Sequence, residues 1–328
     1  MRVLVTGGAG FIGSHFVKRL LAAGEDVVVL DKFTYAGNAA NLPEEVECRR
    51  GDIAVRDDVD QIGRVDAIVN FAAETHVDRS ILGPQEFVRT DVLGTLVLLQ
   101  AAEEMSARLV QVSTDEVYGD VEPGWSSRED DPLRPSSPYS ASKAGGDLQV
   151  LSAVRTFGVN ASITRGSNTY GPNQYPEKIL PLFVTNALDG EPLPLYGDGR
   201  QVRDWLHVED HCAAIELVLG EGEAGGVYNV AANEEHENVE LTRIIVEHLS
   251  VDSSLVRNVE DRAGHDRRYS LDTTKLRSLG WRPRHEFEEG VRATIDWYRD
   301  NRDWWEPVKR SDGFREYYGK QYAARLNA

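Results

Sequence analysis

Residues 2–13 read RVLVTGGAGFIG, a short apolar run that passes directly into a glycine-rich turn. The apolar residues after the turn repeat at helical spacing, at Phe16, Val17, Leu20 and Leu21. A second apolar run over 26–30 ends at Asp31, eighteen residues beyond Gly13. This order predicts a strand, a tight turn, a helix and a second strand, which together form a βαβ unit.

The residues of this turn predict a dinucleotide site. Glycines allow backbone N–H groups to approach a pyrophosphate at the N-terminus of the helix, where the helix dipole favours negative charge. An acidic residue at the position of Asp31 accepts a hydrogen bond from a ribose 2′-hydroxyl and repels a 2′-phosphate, so the pattern favours NAD over NADP. The alternative is a glycine-rich turn without a ligand, and the flanking strand, helix and Asp31 argue against it.

Apolar runs and helical segments continue to alternate along the first half of the chain. Strands are predicted over 46–50, 67–69, 109–112 and 159–164, and helices over about 84–104 and 139–156. Such alternation predicts an α/β fold with a Rossmann-like, doubly wound parallel sheet. Ligands bind such sheets at the carboxyl ends of the strands, which is where Gly7, Asp31, Asp52, Ala72 and residues 113–116 fall.

The regular alternation ends near residue 171, where prolines separate shorter elements. We expect a smaller, mixed α/β substrate-binding domain there, while a helix over about 208–219 and a strand over 227–230 return to the first sheet. The predicted NAD-binding domain comprises 1–170 and about 206–232, and the substrate-binding domain comprises about 171–205 and 233–328. Further helices are predicted over 239–249, 273–279 and 287–299, whereas the polar tail from Trp304 carries no assignable pattern.

The composition is that of a globular protein and narrows the classes of partner. The 328 residues are 41% hydrophobic and 27% charged, and the formal net charge of −18 argues against nucleic acid and anionic membranes. No apolar stretch is long enough to span a membrane, and Met1 leads straight into the first predicted strand, so we expect a cytoplasmic protein. With only Cys48 and Cys212, neither a disulfide framework nor a cysteine-based zinc site is expected.

The second informative stretch is 113–119, which reads STDEVYG and directly follows a predicted strand. Tyr139 and Lys143 come some twenty residues later and lie four apart, on one face of a predicted helix. An ammonium beside a phenol favours the phenolate, so we expect a lowered pKa for Tyr139, as suits a general base. Of the adjacent acids Asp115 and Glu116, we expect one to be held protonated while the other is ionised.

These groups also have a plain structural interpretation. Turns after strands favour Thr and Asp, so residues 114–116 alone would not indicate chemistry. Their position at the carboxyl end of a strand, between a nucleotide motif and Tyr139, favours a catalytic role. His207 and His211 lie at i,i+4 and could form half of a metal site; without a third ligand pattern we expect a structural pair and predict no metal.

The motifs resemble those of the extended short-chain dehydrogenase/reductases, through residues 6–13 and the Tyr139/Lys143 pair. Within that family the chain most resembles the dTDP-glucose 4,6-dehydratase branch. The segments that carry the resemblance are spread along nearly the whole chain, at 31–38, 72–80, 113–119, 137–143, 176–178, 203–205 and 264–269. The resemblance implies NAD as cofactor, a nucleotide-diphosphate sugar as substrate, and a homodimer built through the helices near 84–104 and 139–156.

The resemblance also implies a division of roles among the catalytic residues. Tyr139, assisted by Lys143 and Thr114, would take the proton of the sugar 4-hydroxyl as hydride leaves C4 for NAD. Glu116 would then remove the C5 proton while Asp115 protonates the departing C6 hydroxyl. Return of hydride to C6 and reprotonation of C5 would convert dTDP-glucose to dTDP-4-keto-6-deoxyglucose and regenerate NAD.

The same resemblance implies two sets of binding residues. Those at the cofactor are Gly7, Gly10, Phe11, Ile12, Gly13, Asp31, Lys32, Thr34, Gly37, Asp52, Ile53, Phe71, Ala72, Ala73, Thr75, Thr90, Val112, Ser113, Tyr139, Lys143 and Asn168. Those at the substrate are Asn168, Glu177, Lys178, Pro194, Tyr196, Arg203, Asn238, Arg262 and His265. Arg203 and Arg262 would bind the diphosphate, because the arginine fork suits phosphate oxygens, and Pro194 and Tyr196 would line the base pocket.

The sequence departs from the family's usual pattern at two positions. Gly166 stands where close relatives often carry Cys, and Thr169 stands where a second Asn usually follows Asn168. Neither belongs to the acid/base set. Thymidine is the base that the family implies, and another base would need only local changes in the pocket. The ending 303–307, DWWEP, resembles relatives that make deoxysugars for natural products.

Other functions fit the same fold. A nucleotide-sugar 4-epimerase or decarboxylase would also use Tyr139 and Lys143, but it would have no use for the acid pair of Asp115 and Glu116. A 4,6-dehydratase for another nucleotide-glucose would differ in the base pocket. A non-catalytic NAD-binding regulator would keep the fold, but the intact catalytic residues argue against it.

Overall fold

The computed structural model describes residues 1–261 and 264–326, and its centre is a parallel sheet. The strands in this part of the chain are β1 (Arg2–Thr6), β2 (Asp26–Asp31), β3 (Glu47–Arg50), β4 (Ala67–Asn70), β5 (Arg108–Thr114), β6 (Ala161–Gly166), β7 (Asn168–Tyr170), β8 (Leu193–Tyr196), β9 (Val202–His207), β10 (Val227–Val230), β11 (Glu235–Glu237) and β12 (Val256–Val259). Seven of them form one sheet in the order β10-β6-β5-β4-β1-β2-β3, and every neighbouring pair is parallel. The predicted doubly wound sheet is therefore confirmed, including the return of β10.

The carboxyl ends of the central strands meet at one edge of this sheet. The register pairs Thr6 with both Leu30 and Asn70, and it pairs Thr114 with Gly166. The loops that leave these strands, including the glycine turn and the stretch 115–119, therefore begin close together. This is the edge at which ligands of doubly wound sheets bind.

Helices cover both faces of the sheet. The helices are α1 (Phe11–Ala22), α2 (Arg56–Asp60), α3 (Val77–Leu82), α4 (Pro84–Phe87), α5 (Thr95–Met105), α6 (Pro138–Phe157), α7 (Ile179–Asp189), α8 (Val208–Glu221), α9 (Asn238–Leu249), α10 (Thr274–Ser278), α11 (Phe287–Asp300), α12 (Arg302–Arg310) and α13 (Asp312–Leu326). On one face, Phe16 of α1 and Ile215 of α8 pack with Val110 of β5. On the other, Leu98 of α5 and Val150 of α6 pack with neighbouring sheet residues. Among the described residues, no helix has the length and apolar character that a membrane span requires.

The second half of the chain builds a smaller mixed lobe. It holds a three-stranded sheet in the order β11-β9-β7 and a two-stranded sheet of β12 and β8. Strand β9 is antiparallel to β11 and parallel to β7, so this sheet has mixed strand directions. A separate hydrophobic core joins α7, α9 and α11 and includes Phe183, Ile244 and Ile295.

The tail that carried no assignable pattern in the sequence folds as α12 and α13. Trp305 of α12 is fully buried in the core of the small lobe, and its indole N–H donates to the Tyr298 carbonyl at 2.7 Å. Phe314 and Tyr322 of α13 are buried in the same core. The tail is thus a structural part of this lobe, although its polar surface hides the pattern.

Most predicted bounds agree with the structure to within about two residues, and two of the differences have identifiable local causes. The strand predicted over 159–164 lies at Ala161–Gly166, because α6 extends to Phe157 and ends with Gly158 in the left-handed conformation. The single helix predicted over 84–104 consists of α4, a π-helical segment Val88–Gly94, and α5. The wider π turn inserts an extra residue and shifts the face that the helix presents.

Helix α6 approaches the π-helical segment closely because two of its residues are glycines. A Cβ atom on Gly146 would lie 2.7 Å from the Asp91 carbonyl oxygen, and one on Gly145 would lie 2.8 Å from Val92. The start of α6 is defined by Ser137, whose hydroxyl accepts from the Ser140 N–H at 3.1 Å in a capping box. Tyr139 and Lys143 therefore sit on a rigidly placed helix.

A buried ion pair ties α6 to β6 beneath this face. Arg165 Nε donates to Asp147 Oδ2 at 2.8 Å, and both side chains are almost completely buried. A terminal nitrogen of Arg165 also donates to the Tyr118 hydroxyl at 2.7 Å, and that hydroxyl donates to Asn229. The network joins α6, β6, β10 and the turn after β5.

Replacing Arg165 by Met should strongly destabilise the fold. The substitution leaves the Asp147 carboxylate buried without its counterion, which typically costs about 3–5 kcal/mol of unfolding free energy. Urea denaturation followed by circular dichroism would measure the loss. Arg243→Met is the control, because Arg243 pairs with Glu247 on an exposed helix face and its loss should leave the unfolding midpoint near that of the wild type. Equal midpoints for both variants would contradict this account.

Candidate active site

In the glycine turn after β1, two positions lie so close to neighbouring backbone atoms that only glycine fits there. Gly7 has a φ of +65°, and a Cβ atom there would lie 2.6 Å from the Ala72 backbone nitrogen. A Cβ on Gly13 would lie 2.4 Å from the Gly7 carbonyl oxygen, so α1 could not pack against the turn. The first residues of α1 consequently face an open cleft at the carboxyl edge of the sheet, as the sequence predicts.

Asp31, at the end of β2, is held by backbone groups on both sides of this cleft. The Ala9 N–H donates to Asp31 Oδ2 at 2.9 Å, and the Phe33 N–H donates to Oδ1 at 2.7 Å. Gly37 passes so close that a Cβ there would lie 2.8 Å from Oδ1. Burial raises the pKa of Asp31 above its ordinary value, while the two N–H donors act in the opposite direction.

The structure brings the predicted cofactor and catalytic residues together. One cavity is lined by all of the residues predicted for NAD, and by Thr114, Asp115 and Glu116. Of the residues predicted for the substrate, Asn168, Glu177 and Lys178 line it. The cavity extends from the glycine turn and Asp31 to the acidic turn after β5.

The cavity also contains polar groups that suit a cofactor rich in hydroxyl and amide groups. Thr90 Oγ1 and His211 Nε2 are buried and have no hydrogen-bond partner among the described residues. Lys32 and Arg89 both contact Asp52 Oδ2 at 3.0 Å, which places two cations at the end of the cleft near Asp31. The donor set and the glycine turn therefore fit a dinucleotide.

The acidic turn separates its two carboxyl groups. Asp115 begins a short 3₁₀ helix, Asp115–Tyr118, and its side chain is buried while that of Glu116 is half-buried. The Thr114 hydroxyl donates to Asp115 Oδ1 at 3.1 Å and accepts from the Glu116 N–H at 3.3 Å. Asp115 Oδ2 has no partner among the described residues.

Burial, together with the neighbouring Glu116, raises the pKa of Asp115 to about 8. Its carboxyl group is therefore mostly protonated at neutral pH, in agreement with the expectation that one acid of the pair is neutral. The positive charge of Arg203 acts in the opposite direction, which places that guanidinium near the acidic turn.

Tyr139 and Lys143 line the cavity from α6, but the expected lowering of the Tyr139 pKa is wrong for this structure. Desolvation raises the pKa of the phenol well above its ordinary value, and the negative charges of Glu116 and Asp91 raise it further. The Lys143 ammonium is directed instead at the Val112 carbonyl oxygen, 2.8 Å away. The Thr114 hydroxyl hydrogen-bonds to Tyr139 and acts in the lowering direction.

The other predicted substrate residues that the structure describes do not line the same cavity. Arg203 is buried and donates to the Val202 carbonyl at 2.7 Å and the Asp266 carbonyl at 2.9 Å. Pro194 and Tyr196 lie on β8, where the Tyr196 ring is 6.0 Å from that of His265. Two predicted residues remain: Asn238 opens α9, and Arg262 lies outside the described residues.

Some cavity residues were missed in the sequence. Glu74 lies within the motif 72–80 and Tyr175 directly precedes the motif 176–178, so these two motifs could have indicated both residues. His211 also lines it, and its Nδ1 lies 2.8 Å from the Thr169 hydroxyl, at a position where the sequence departs from the family. A Cβ on Gly166 would lie 2.6 Å from His211 Nε2, so the two departures surround one imidazole.

His207 and His211, which were expected to have structural roles, have different partners. The His207 ring stacks on His285 with centroids 3.9 Å apart, and Glu209 completes a group of three potential metal ligands. The Glu209 N–H donates to His207 Nδ1 at 3.3 Å, so the neutral imidazole carries its hydrogen on Nε2. Asp210 accepts from His285 at 3.0 Å. These contacts give His207 and its neighbours a structural role at the N-terminus of α8, where His207 is the capping residue.

Comparisons with known proteins agree with this geometry. A family model described as GDP-mannose 4,6 dehydratase matches residues 4–294. A dTDP-glucose 4,6-dehydratase of Streptomyces niveus is 52% identical over 327 residues, which cover 95% of this chain and 97% of the relative.

Solved structures with bound NAD are similar over nearly the whole chain. DesIV, a dTDP-glucose 4,6-dehydratase from Streptomyces venezuelae, superposes with a TM-score of 0.92 at 53% identity, over 94% of this chain and 100% of that chain. The UDP-glucose 4-epimerase of Thermus thermophilus superposes with a TM-score of 0.88 at 36% identity, over 92% and 100%. The chain therefore belongs to the family that the GDP-mannose 4,6 dehydratase model describes, and its resemblance to the dTDP-glucose 4,6-dehydratases is confirmed.

Proposed function

We propose that the protein is an NAD-dependent hydro-lyase that converts dTDP-glucose to dTDP-4-keto-6-deoxyglucose. The observation that carries this proposal is the pairing, in one cavity, of a protonated Asp115 and an adjacent Glu116 with Tyr139 and a dinucleotide cleft. Oxidation alone would need only the tyrosine, the lysine and the cofactor. A carboxyl acid beside a carboxylate base is what the elimination of water requires.

NAD would be held by residues along the whole cleft. We assign the pyrophosphate to the glycine turn, where N–H groups of Phe11 and Ile12 open α1, and the adenosine ribose to Asp31. When bound, NAD supplies the oxidant for C4 and the reductant for C6, and the positive charge of its ring favours the phenolate form of a neighbouring tyrosine. That effect opposes the desolvation that raises the pKa of Tyr139.

The first chemical step assigned to this chain is the removal of the proton from the sugar 4-hydroxyl. Tyr139 is the base, and the Thr114 hydroxyl, which hydrogen-bonds to it, holds the phenol in place. Lys143 anchors α6 to β5 through the Val112 carbonyl and supplies a fixed positive charge behind the site. The result is a ketone at C4, which makes the C5 proton acidic.

The elimination follows from the unequal surroundings of the two acids. Glu116, half-buried at the cavity, removes the C5 proton. Asp115 gives its proton to the C6 hydroxyl, which leaves as water, and its otherwise unpartnered Oδ2 is the oxygen available for this transfer. The protonated Glu116 can afterwards return a proton to C5, so this base ends the cycle as it began.

The substrate is placed between the two lobes in this proposal. Asn168, Glu177 and Lys178 would contact the sugar, because they share the cavity of the acid/base residues. Arg203 would bind the diphosphate, and Pro194, Tyr196, Asn238 and His265 would form the nucleoside side of the site. We retain the division into an NAD-binding domain, 1–170 with about 206–232, and a substrate-binding domain, about 171–205 with 233–328.

We also propose a homodimer, a cytoplasmic location, and a role in making deoxysugars for natural products. Exposed apolar side chains, including Val88, Leu93 and Leu148, lie on the two helical stretches implied for the subunit contact. Both cysteines are free, as expected in a reducing compartment. Sedimentation equilibrium at micromolar protein tests the dimer, and a monomer would contradict it.

A 4-epimerase is the second candidate, because the Thermus thermophilus enzyme has nearly the same fold. The two functions predict different products from a nucleotide-glucose. Incubation with dTDP-, UDP-, GDP- and CDP-glucose, with product analysis by mass spectrometry, separates them. A product lighter by one water, formed fastest from dTDP-glucose, supports the dehydratase. An isomer of unchanged mass supports the epimerase, and no product from any nucleotide-glucose rejects both.

Replacing Glu116 by Gln should uncouple oxidation from elimination. The amide cannot accept the C5 proton, so oxidation at C4 still occurs but the ketone does not proceed, and reduced cofactor accumulates on the enzyme. Rapid mixing with dTDP-glucose, followed by absorbance of reduced cofactor, measures this. Glu122→Gln is the control, because Glu122 is an exposed residue beyond the same turn. Loss of turnover without any bound reduced cofactor would mean that Glu116 does not act at C5.

The dehydration rate should fall as the pH rises through about 8. Asp115 acts in its protonated form, and its raised pKa of about 8 means that this form predominates below that pH and is lost above it. The single-turnover rate of water elimination should therefore break near that value. In Asp115→Asn the rate should be low and the break should disappear, whereas any dependence that arises from Tyr139 should remain. An unchanged break in Asp115→Asn would assign it to another group.

A further inference from the structure

The C-terminal helix α13 reaches the wall of the active-site cavity through one arginine. The guanidinium carbon of Arg79, on α3, lies 3.6 Å from the centre of the Tyr35 ring and 4.3 Å from the centre of the Tyr317 ring. Tyr35 belongs to the loop after β2 that borders the cofactor cleft, and Tyr317 belongs to α13. The arginine is therefore stacked against two aromatic rings that come from opposite ends of the chain.

This arginine holds a carboxylate that lines the cavity. Arg79 Nε donates to Glu177 Oε2 at 2.8 Å, and the Tyr35 hydroxyl contacts Glu177 Oε1 at 2.9 Å and the Thr75 carbonyl at 2.8 Å. The Glu177 side chain is 1% exposed. Burial raises the pKa of Glu177, and the charge of Arg79 opposes that shift. The position of this carboxylate therefore depends on the position of the guanidinium.

A strained residue lies between the arginine and the helix. His76 has a φ of +86°, a conformation that a histidine rarely adopts. Its Nδ1 lies 3.3 Å from the Tyr317 hydroxyl, and its Nε2 lies 3.3 Å from the Glu177 carbonyl oxygen. Such backbone strain persists only where the surroundings hold it, and Tyr317 provides one of the contacts that do so.

We infer that α13 supports the active site through Tyr317, which acts as a positioning residue. The Tyr317 ring holds the Arg79 side chain in place, and Arg79 in turn fixes the Glu177 carboxylate beside the sugar. This inference rests on the proposed function, because it takes Glu177 as a contact of the sugar. Tyr317 itself does not line the cavity. It acts through its contact with the Arg79 guanidinium, which the Tyr35 ring also contacts.

The effect of losing the Tyr317 ring follows from the new surroundings of the Arg79 guanidinium. Without the Tyr317 ring, one face of the guanidinium meets water or empty space, and Arg79 gains rotamers that do not reach Glu177. The carboxylate would then lose its fixed place beside the sugar. Asp115, Glu116 and Tyr139 are anchored by β5 and α6 and would not move. Binding of the sugar should therefore weaken while the chemical steps proceed at nearly the same rate.

Replacing Tyr317 by Ala tests the inference by separating KM from kcat. We expect KM for dTDP-glucose to rise about tenfold, the size of effect that loss of a partly desolvated cation–π contact produces, with kcat within about twofold of wild type. Isothermal titration should show weaker binding of dTDP-glucose and unchanged binding of dTDP, because Glu177 faces the sugar and not the nucleotide. A general disturbance of the small lobe would weaken both.

Tyr318→Ala is the matched control. Tyr318 is the next residue of α13, its ring stacks on Phe314 at 6.0 Å, and its hydroxyl accepts from Asn186 at 3.2 Å, so it faces away from Arg79. Its loss removes an equal ring from the same helix and should leave KM unchanged. Equal KM values for Tyr317→Ala and Tyr318→Ala would overturn the inference.

Two further variants, Tyr317→Phe and Arg79→Lys, separate the effect of the ring from the effect of the charge. Tyr317→Phe retains the ring over Arg79 and should keep KM close to wild type, whereas Arg79→Lys retains the charge without the flat stacking surface and should raise KM as Tyr317→Ala does. If Tyr317→Ala fails to fold, Arg79→Lys carries the test, and an unchanged KM in it overturns the inference. If the wild-type protein does not turn over dTDP-glucose at all, it is the proposed function that fails.

Discussion

The alignment of strand ends in the seven-stranded sheet is the constraint on which the site depends. Parallel hydrogen bonding fixes each strand against its neighbours, so Thr6, Leu30 and Asn70 are level, and so are Thr114 and Gly166. The loops that leave these positions must start within one narrow band. The glycine turn, Asp31 and the acidic turn are therefore brought together by the sheet, although they are spread over the first half of the chain.

At this edge of the sheet, different degrees of burial give two carboxyl groups different tendencies to be protonated. Asp115 and Glu116 are adjacent carboxyl groups, yet the 3₁₀ turn directs the first into the interior and leaves the second at the cavity. A buried carboxyl group is far less costly when neutral, and the negative charge of its neighbour adds to that preference. The same turn thus gives two consecutive carboxyl groups different surroundings, which the proposed roles of proton donor and proton acceptor require. Their difference is a property of backbone geometry.

The sequence predicts the secondary structure and the strand ends that local patterns determine. It does not predict features that depend on contacts between residues far apart in sequence. The βαβ unit follows from short-range spacing, the residues at the cofactor cavity follow from the family resemblance, and the structure agrees with both. The protonation of one acid could be expected from adjacency, but the identity of that acid depends on the turn. The expected direction of the Tyr139 pKa was wrong because burial of the phenol raises this pKa, and because the Lys143 ammonium donates to a carbonyl of β5, a contact that helical spacing cannot reveal. Likewise, the polar surface of α13 conceals a packing face whose partner, His76, lies 241 residues away in sequence.

The tail matters because the loop that carries Glu177, on the proposed substrate side of the cavity, contains no strand. Residues 174–178 form a loop, and ordering each residue of a loop costs about 1–2 kcal/mol of backbone entropy. A parallel sheet offsets that cost for the cofactor side through continuous hydrogen bonds and two hydrophobic cores. On the substrate side, the compensation comes from single contacts such as the one between Arg79 and Glu177. These contacts need a rigid backing, and α13 provides it because Phe314 and Tyr322 anchor the helix in the core of the small lobe. The final helix α13 therefore fixes the position of the Glu177 carboxyl group, just as the parallel sheet fixes the position of the Asp115 carboxyl group.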